Sequence, residues 1–167
     1  AREVTQGSSD IIVAVLDHGT QLDHPDLNVS SKSYDTETGR SPSQIWGNHG
    51  TACSGIISAK TNNNLGVAGI APNCPVMSIS NQLMGTSDAP QKRADGFNWA
   101  WRNGASVISN SWRSSTFSEL LEDAIQSAMT NGRNGLGCVV TFSAGNYDSN
   151  TVGYPARSLP DIIVVGA

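Results

Sequence analysis

The stretch Ile11-Ile12-Val13-Ala14-Val15-Leu16, closed by Asp17-His18-Gly19, decides the fold. Six consecutive apolar residues, most of them β-branched, suit a strand whose two faces are both covered. Such a strand belongs inside a parallel sheet, because antiparallel strands with one wet face alternate apolar and polar residues. The abrupt switch to Asp17 puts a carboxylate at the strand's carboxyl end, where open parallel sheets gather ligands and catalytic groups. Taken alone, Asp17 reads equally well as the cap of a turn.

Working outward, comparable apolar runs occur at 76–80, 105–108, 138–142 and 161–165, and helix-like stretches at 49–59, 91–103 and 117–131 lie between them. In the last, Leu120, Leu121, Ala124, Ile125, Ala128 and Met129 recur at helical spacing, and Thr116 with Glu119 reads as a capping box. Asn48 is placed to cap the first helix. The alternation predicts an α/β fold in three layers, a mostly parallel sheet flanked by helices. Polar loops such as 30–43 and Asn62-Asn63-Asn64 interrupt it without a repeat or a linker, so residues 1–167 read as a single domain.

Composition removes several function classes. A formal net charge of -4, with ten Lys and Arg scattered along the chain, argues against nucleic acid as a partner. No apolar run approaches the length of a membrane span. Cys53, Cys74 and Cys138 lack the CxxC spacing of a zinc site and allow at most one internal disulfide. The Gly-x-Gly-x-x-Gly signature of dinucleotide binding is absent after every strand-like run. The start, Ala1-Arg2-Glu3-Val4, has neither an initiator methionine nor a signal-peptide pattern, so a processed or partial chain is expected.

His49 stands in Asn48-His49-Gly50-Thr51-Ala52-Cys53-Ser54-Gly55 at a helix start, where a lone histidine is usually structural. Here it is one of three motifs in order: Asp17-His18-Gly19, His49-Gly50-Thr51 and Ser143-Ala144-Gly145-Asn146. Together these resemble the subtilisin-like serine proteases. The resemblance runs through His24-Pro25-Asp26-Leu27, residues 62–72, Ser109-Asn110-Ser111-Trp112, Val152-Gly153-Tyr154-Pro155 and the closing Val164-Val165-Gly166-Ala167. Ala52-Cys53 and Ser111-Trp112 look similar to the kexin branch, and Val152-Gly153-Tyr154-Pro155 is closer to bacterial subtilisins.

The resemblance implies a role for each matched residue. His49 becomes the general base that takes the nucleophile's proton and returns it to the leaving amine. Asp17 holds the imidazole's tautomer and stabilises its charged form. Asn146 donates its side-chain amide to the oxyanion. His18 and His24 are expected to be structural. Ser111, Trp112 and Arg113 resemble the strand that pairs with substrate backbone, and Gly153 a residue at the base of the specificity pocket. Arg113 stands where the family usually has glycine, so it narrows the cleft or favours acidic side chains. Calcium is the implied cofactor, held by Asp26, the side chain of Asn63 and the carbonyls of Thr61, Leu65 and Val67; the competing reading is a polar turn held by asparagines.

The family's nucleophile sits in Gly-Thr-Ser-Met-Ala, later in the order of motifs than Val164-Val165-Gly166-Ala167. The chain is therefore expected to be the N-terminal portion of such an endopeptidase, incomplete as a fold and inactive alone, its serine brought by a complementary C-terminal segment. Gly85-Thr86-Ser87 imitates the motif, but it falls where the family has a substrate-edge loop. Cys53 shares a helical face with His49 and is expected to be a small buried residue rather than a nucleophile. The implied partners are peptide or protein substrates, and the implied location is secreted or extracytoplasmic. The competing function is a non-catalytic module that binds peptides or partner proteins through the same cleft.

Overall fold

A computed structural model describes residues 4–146 and 150–166. Its elements are β1 (Ile12–Asp17), β2 (Tyr34–Asp35), α1 (His49–Ser58), β3 (Val76–Ser80), α2 (Ala89–Arg102), β4 (Ala105–Asn110), α3 (Glu119–Gly135), β5 (Val139–Ser143) and β6 (Ile163–Val165). They build one six-stranded sheet in the order β2-β3-β1-β4-β5-β6, with every pair parallel. The run that opened the sequence reading supplies β1, third in that order, and Asp17 is its last residue rather than the one after it.

The pleat sends alternate β1 residues to opposite layers. Ala14 and Leu16 join Met77, Ile79, Phe97, Ile108 and Phe142 in a core under α2 and α3. Phe97 is fully buried, and burial of such a side chain contributes about 1.5–3 kcal/mol. Val13 and Val15 face the other way, towards α1. That helix packs on β1 and β3 through small residues, with Gly50, Ser54, Gly55 and Ser58 all buried. Ser54 Oγ lies 2.7 Å from Thr20 Oγ1, and Thr20 N donates to Ser78 Oγ of β3. Small side chains and hydroxyl pairs thus let α1 approach the sheet closely just beyond Asp17.

On that same face the β4-β5-β6 half carries Val107, Val139, Thr141, Ile163 and Val165. Val139, Ile163 and Val165 are 39%, 52% and 57% exposed, and among the described residues no helix packs over them. The sheet is open, ending on β6.

Several expectations need correction. The short β2 falls inside the stretch expected to be loop, because two residues leave no periodic signal. Asn48 occupies the N-cap position of α1 with αR backbone angles, so its side chain makes no capping bond; that bond needs an extended backbone. The cap of α3 is Ser118, whose Oγ accepts from Leu121 N at 3.3 Å, because Ser114 Oγ holds the Thr116 amide in the preceding turn. Leu120 faces outward at 45% exposed, while Leu121, Ala124, Ile125 and Ala128 are buried. All three cysteines are free, so the disulfide that the count permitted is not formed. Among the described residues no helix is long and apolar enough to cross a membrane.

Candidate active site

The carboxyl end of β1 and the first turn of α1 meet at Asp17 and His49. Asp17 is 1% exposed, and its Oδ1 accepts from the His18 amide at 2.7 Å. His49 Nδ1 lies 2.9 Å from both Asp17 carboxylate oxygens. A buried carboxylate placed there fixes the imidazole with its proton on Nδ1, which leaves Nε2 as an acceptor. The His49 side chain is half-exposed, at 52%, so that nitrogen can be reached from outside. The arrangement leaves one ring nitrogen open to a proton, with a buried carboxylate against the other.

His18 borders this pair without joining it. Its ring stands edge-on to His49 at 6.3 Å, and its Nδ1 is 4.0 Å from Asp17 Oδ1. His24 lies apart, its Nδ1 accepting from Asp26 N within the 24–27 turn. Cys53, one helical turn beyond His49, has Sγ 3.7 Å from Nδ1, 4.0 Å from Nε2 and 3.8 Å from Ser111 Oγ. It is only half-buried, less enclosed than its sequence context implies. Burial, followed by the Asp17 charge, pushes its thiol up, which keeps it protonated and disfavours a thiolate nucleophile. Among the described residues His49 bonds to Asp17 and Cys53 and to no hydroxyl. Ser87 is exposed just before α2.

Asn146 follows β5 and Gly145, so it too lies beyond the carboxyl end of a parallel strand, and it is exposed. Residues 147–149 lie outside the described part of the chain. Ser111, Trp112 and Arg113 follow β4, and the segment bonds onward from Ser114 N to Tyr154 O at 2.8 Å. Trp112 is turned inward. Its Nε1 donates to Leu16 O at 3.1 Å, its ring meets Phe142 edge-on at 5.0 Å, and the Arg93 guanidinium lies over it at 4.8 Å. Trp112 is buried, while Ser111 and Arg113 on either side of it are exposed.

The Arg113 stem lies across Gly153, where an added Cβ would come within 3.3 Å of Arg113 Cβ and Cδ. Both residues line a cavity of about 610 Å³, which also holds Ala144, Phe117, Tyr154 and Arg157. Arg157 escaped sequence reasoning, since no spacing rule ties it to Arg113. Arg93 escaped it for a similar reason: a cation on a helix reads as solvated, yet this one is 2% exposed beneath the loop that carries Met84 O.

Asp26 is 3% exposed and sits at the centre of the 61–67 loop. Asn63 Nδ2 donates to its Oδ1 at 2.7 Å and Val67 N to its Oδ2 at 3.2 Å, while Asn63 Oδ1 accepts from Leu65 N. Asp26, Asn63, Leu65 and Val67 are thereby brought together, with Thr61 at the start of the same loop. As placed, these groups close a polar turn around the Asp26 carboxylate, with the Asn63 amide nitrogen and the Val67 amide donating to it; the carboxylate and the amide oxygen of Asn63 are oxygen donors of the hard kind that calcium takes.

The profile of the subtilase family matches residues 8–167. The chain is 36% identical to a thermophilic serine proteinase of Bacillus sp. (strain AK1), over all of its own length and 40% of that protein. It is 34% identical to subtilisin E of Bacillus subtilis (strain 168), covering 95% of this chain and 41% of the relative. A calcium-dependent protease of Trichormus variabilis is 32% identical, with 93% and 26% covered. The chain thus spans about two fifths of the length of the first two relatives. The crystal structure of MycP1 without its N-terminal propeptide superposes with a TM-score of 0.76 at 20% identity, over 99% of this chain and 60% of that one, a likeness of fold. The chain belongs to the subtilase family of subtilisin-like serine proteases.

Proposed function

We propose that this chain supplies the acid–base pair and the oxyanion donor of a serine endopeptidase, and that the nucleophilic serine is brought by a complementary segment outside this sequence. The observation that carries the reading is the 2.9 Å approach of His49 Nδ1 to both oxygens of buried Asp17. A peptide or protein substrate lies along the main chain of Ser111, Trp112 and Arg113, with one side chain in the cavity beside Gly153. His49 Nε2 takes the serine proton as the hydroxyl attacks the scissile carbonyl, and the Asn146 amide donates to the oxygen that becomes negative. His49 then passes the proton to the leaving amine. The uncovered face of β4-β5-β6 gives the complementary segment an apolar surface to close.

Calcium, when bound at Asp26, Asn63 and the carbonyls of Thr61, Leu65 and Val67, supplies a structural cross-link and no chemistry at the reacting atoms. The calcium-dependent protease among the relatives supports this assignment. A secreted or extracytoplasmic location fits such an enzyme.

Kinetics of the full-length protein that carries this chain test the reading. Asp17→Asn is expected to lower kcat by about 10⁴ with the fold intact, and Asn146→Ala by about 10²–10³. Wild-type rates from either variant would refute it. The second reading, a peptide-binding module without catalysis, has one observation in its favour: His49 meets no hydroxyl among the described residues. It predicts peptide binding without hydrolysis, unaffected by Asp17→Asn.

A further inference from the structure

We propose that Asp17, His49 and Cys53 form a capture site for a borderline or soft divalent cation of the Zn²⁺ or Cd²⁺ kind. The ligand atoms, a carboxylate oxygen, a ring nitrogen and a sulfur, all lie within 4.8 Å of one another. Two come from one face of α1, four residues apart and so one turn above the other, and the third from the end of β1. A tetrahedral zinc ion holds nitrogen at about 2.0–2.1 Å and sulfur at about 2.3 Å, which sets those two ligands roughly 3.6 Å apart. Cys53 Sγ stands 3.7 Å from His49 Nδ1 and 4.0 Å from Nε2 before any ion binds. The sulfur is thus nearly equidistant from the two ring nitrogens. Nδ1 is the ring nitrogen nearest both the sulfur and Asp17, so an ion resting on those two takes the Nδ1 lone pair while the ring proton shifts to Nε2.

The donor set selects the class of ion. Calcium takes six to eight oxygens and gains nothing from a thiol, whereas thiolate and imidazole favour zinc and its heavier congener. Binding releases the thiol proton to solvent, so that the cation is held by thiolate, imidazole and carboxylate, and no redox change is involved. The fourth position stays open to water. Ser111 Oγ, 3.8 Å from the sulfur, is the hydroxyl beside it. Where His49 is the general base, as proposed above, an ion on Nδ1 leaves the ring proton on Nε2, which then has no lone pair to take the serine proton. The consequence for turnover rests on that reading; the binding does not.

The test uses the full-length protein, stripped with a chelator and titrated with Cd²⁺ alone, followed by the sulfur-to-metal charge-transfer band in the ultraviolet. One equivalent is expected to raise the band in wild type, with Zn²⁺ bleaching it by competition. Cys53→Ser abolishes it, while Cys74→Ser leaves it intact, because that thiol is buried away from the site. His49→Ala and Asp17→Asn are each expected to weaken binding at least about tenfold, the scale on which even outer partners of a metal site act. A band that survives Cys53→Ser, a wild type with no band, or a band lost in Cys53→Ser yet unchanged in both other variants overturns the proposal. None of these outcomes depends on peptidase activity, so failure here is distinguishable from failure of the catalytic reading. Inhibition of peptide hydrolysis by Zn²⁺, relieved by chelator and absent in Cys53→Ser, is the functional counterpart.

Discussion

Gly50 of α1 rests directly on Gly19, the second residue after Asp17: a Cβ on Gly50 would collide with the Gly19 carbonyl oxygen and stand 3.0 Å from its amide nitrogen. Gly19 in turn has φ +92° and lies against the carbonyl of Gln44, so neither position admits a side chain. This backbone-on-backbone contact lets His49 reach a carboxylate at the end of the neighbouring strand. The glycines of Asp17-His18-Gly19 and His49-Gly50-Thr51 are thus two sides of one contact.

Gly50→Ala is accordingly expected to push α1 off β1 at a cost of about 1–3 kcal/mol, the usual penalty of overpacking a site without free volume. Chemical denaturation with urea checks the stability. The acid–base pair should fail with it, so peptide hydrolysis falls by more than the folded fraction does. Unchanged stability and activity would mean that the contact is not what sets the helix.

The Cys53 thiol supplies a pH prediction. Because burial and then the Asp17 charge push it up, its alkylation by iodoacetamide should reach half-maximal rate at higher pH than for free cysteine. Asp17→Asn removes the negative neighbour, so the profile should move down in pH. A stopped-time mass-spectrometric assay of the Cys53 peptide reads both, and a profile that ignores Asp17 would contradict the geometry.

Removal of calcium is expected to act on stability and not on the reacting atoms. Chelation should lower Tm in wild type and leave Tm of Asp26→Ala unchanged, since the buried carboxylate at the loop's centre is then gone. If chelation moves neither protein, the polar turn closed by Asn63 and Asp26 stands without an ion.

Much of this was legible in the sequence, for identifiable reasons. A six-residue apolar run has one good structural use, and it formed β1 within one residue of its expected bounds. Asp17 and His49 were legible because glycine-bearing motifs surround them. The inward turn of Trp112 was not, since nothing in Ser111-Trp112-Arg113 says that the indole will find Leu16 O across the sheet. Arg157 reaches the cavity of Gly153 through a turn that brings its amide onto Gly153 O at 3.2 Å, and no periodicity announces such a turn. Capping misled because Ser114, Ser115, Thr116 and Ser118 crowd the start of α3, and at α1 the αR backbone of Asn48 denies its side chain the bond; only backbone angles decide which residue caps.

The central claim is that His49, oriented by Asp17, serves a serine that lies outside these residues. Fluorophosphonate labelling of the full-length protein, with the adduct located by mass spectrometry, tests it most directly. The expected result is a single labelled serine outside residues 1–167, with labelling lost in His49→Ala and retained in Ser87→Ala. Labelling on Ser87, or labelling indifferent to His49, would contradict the account.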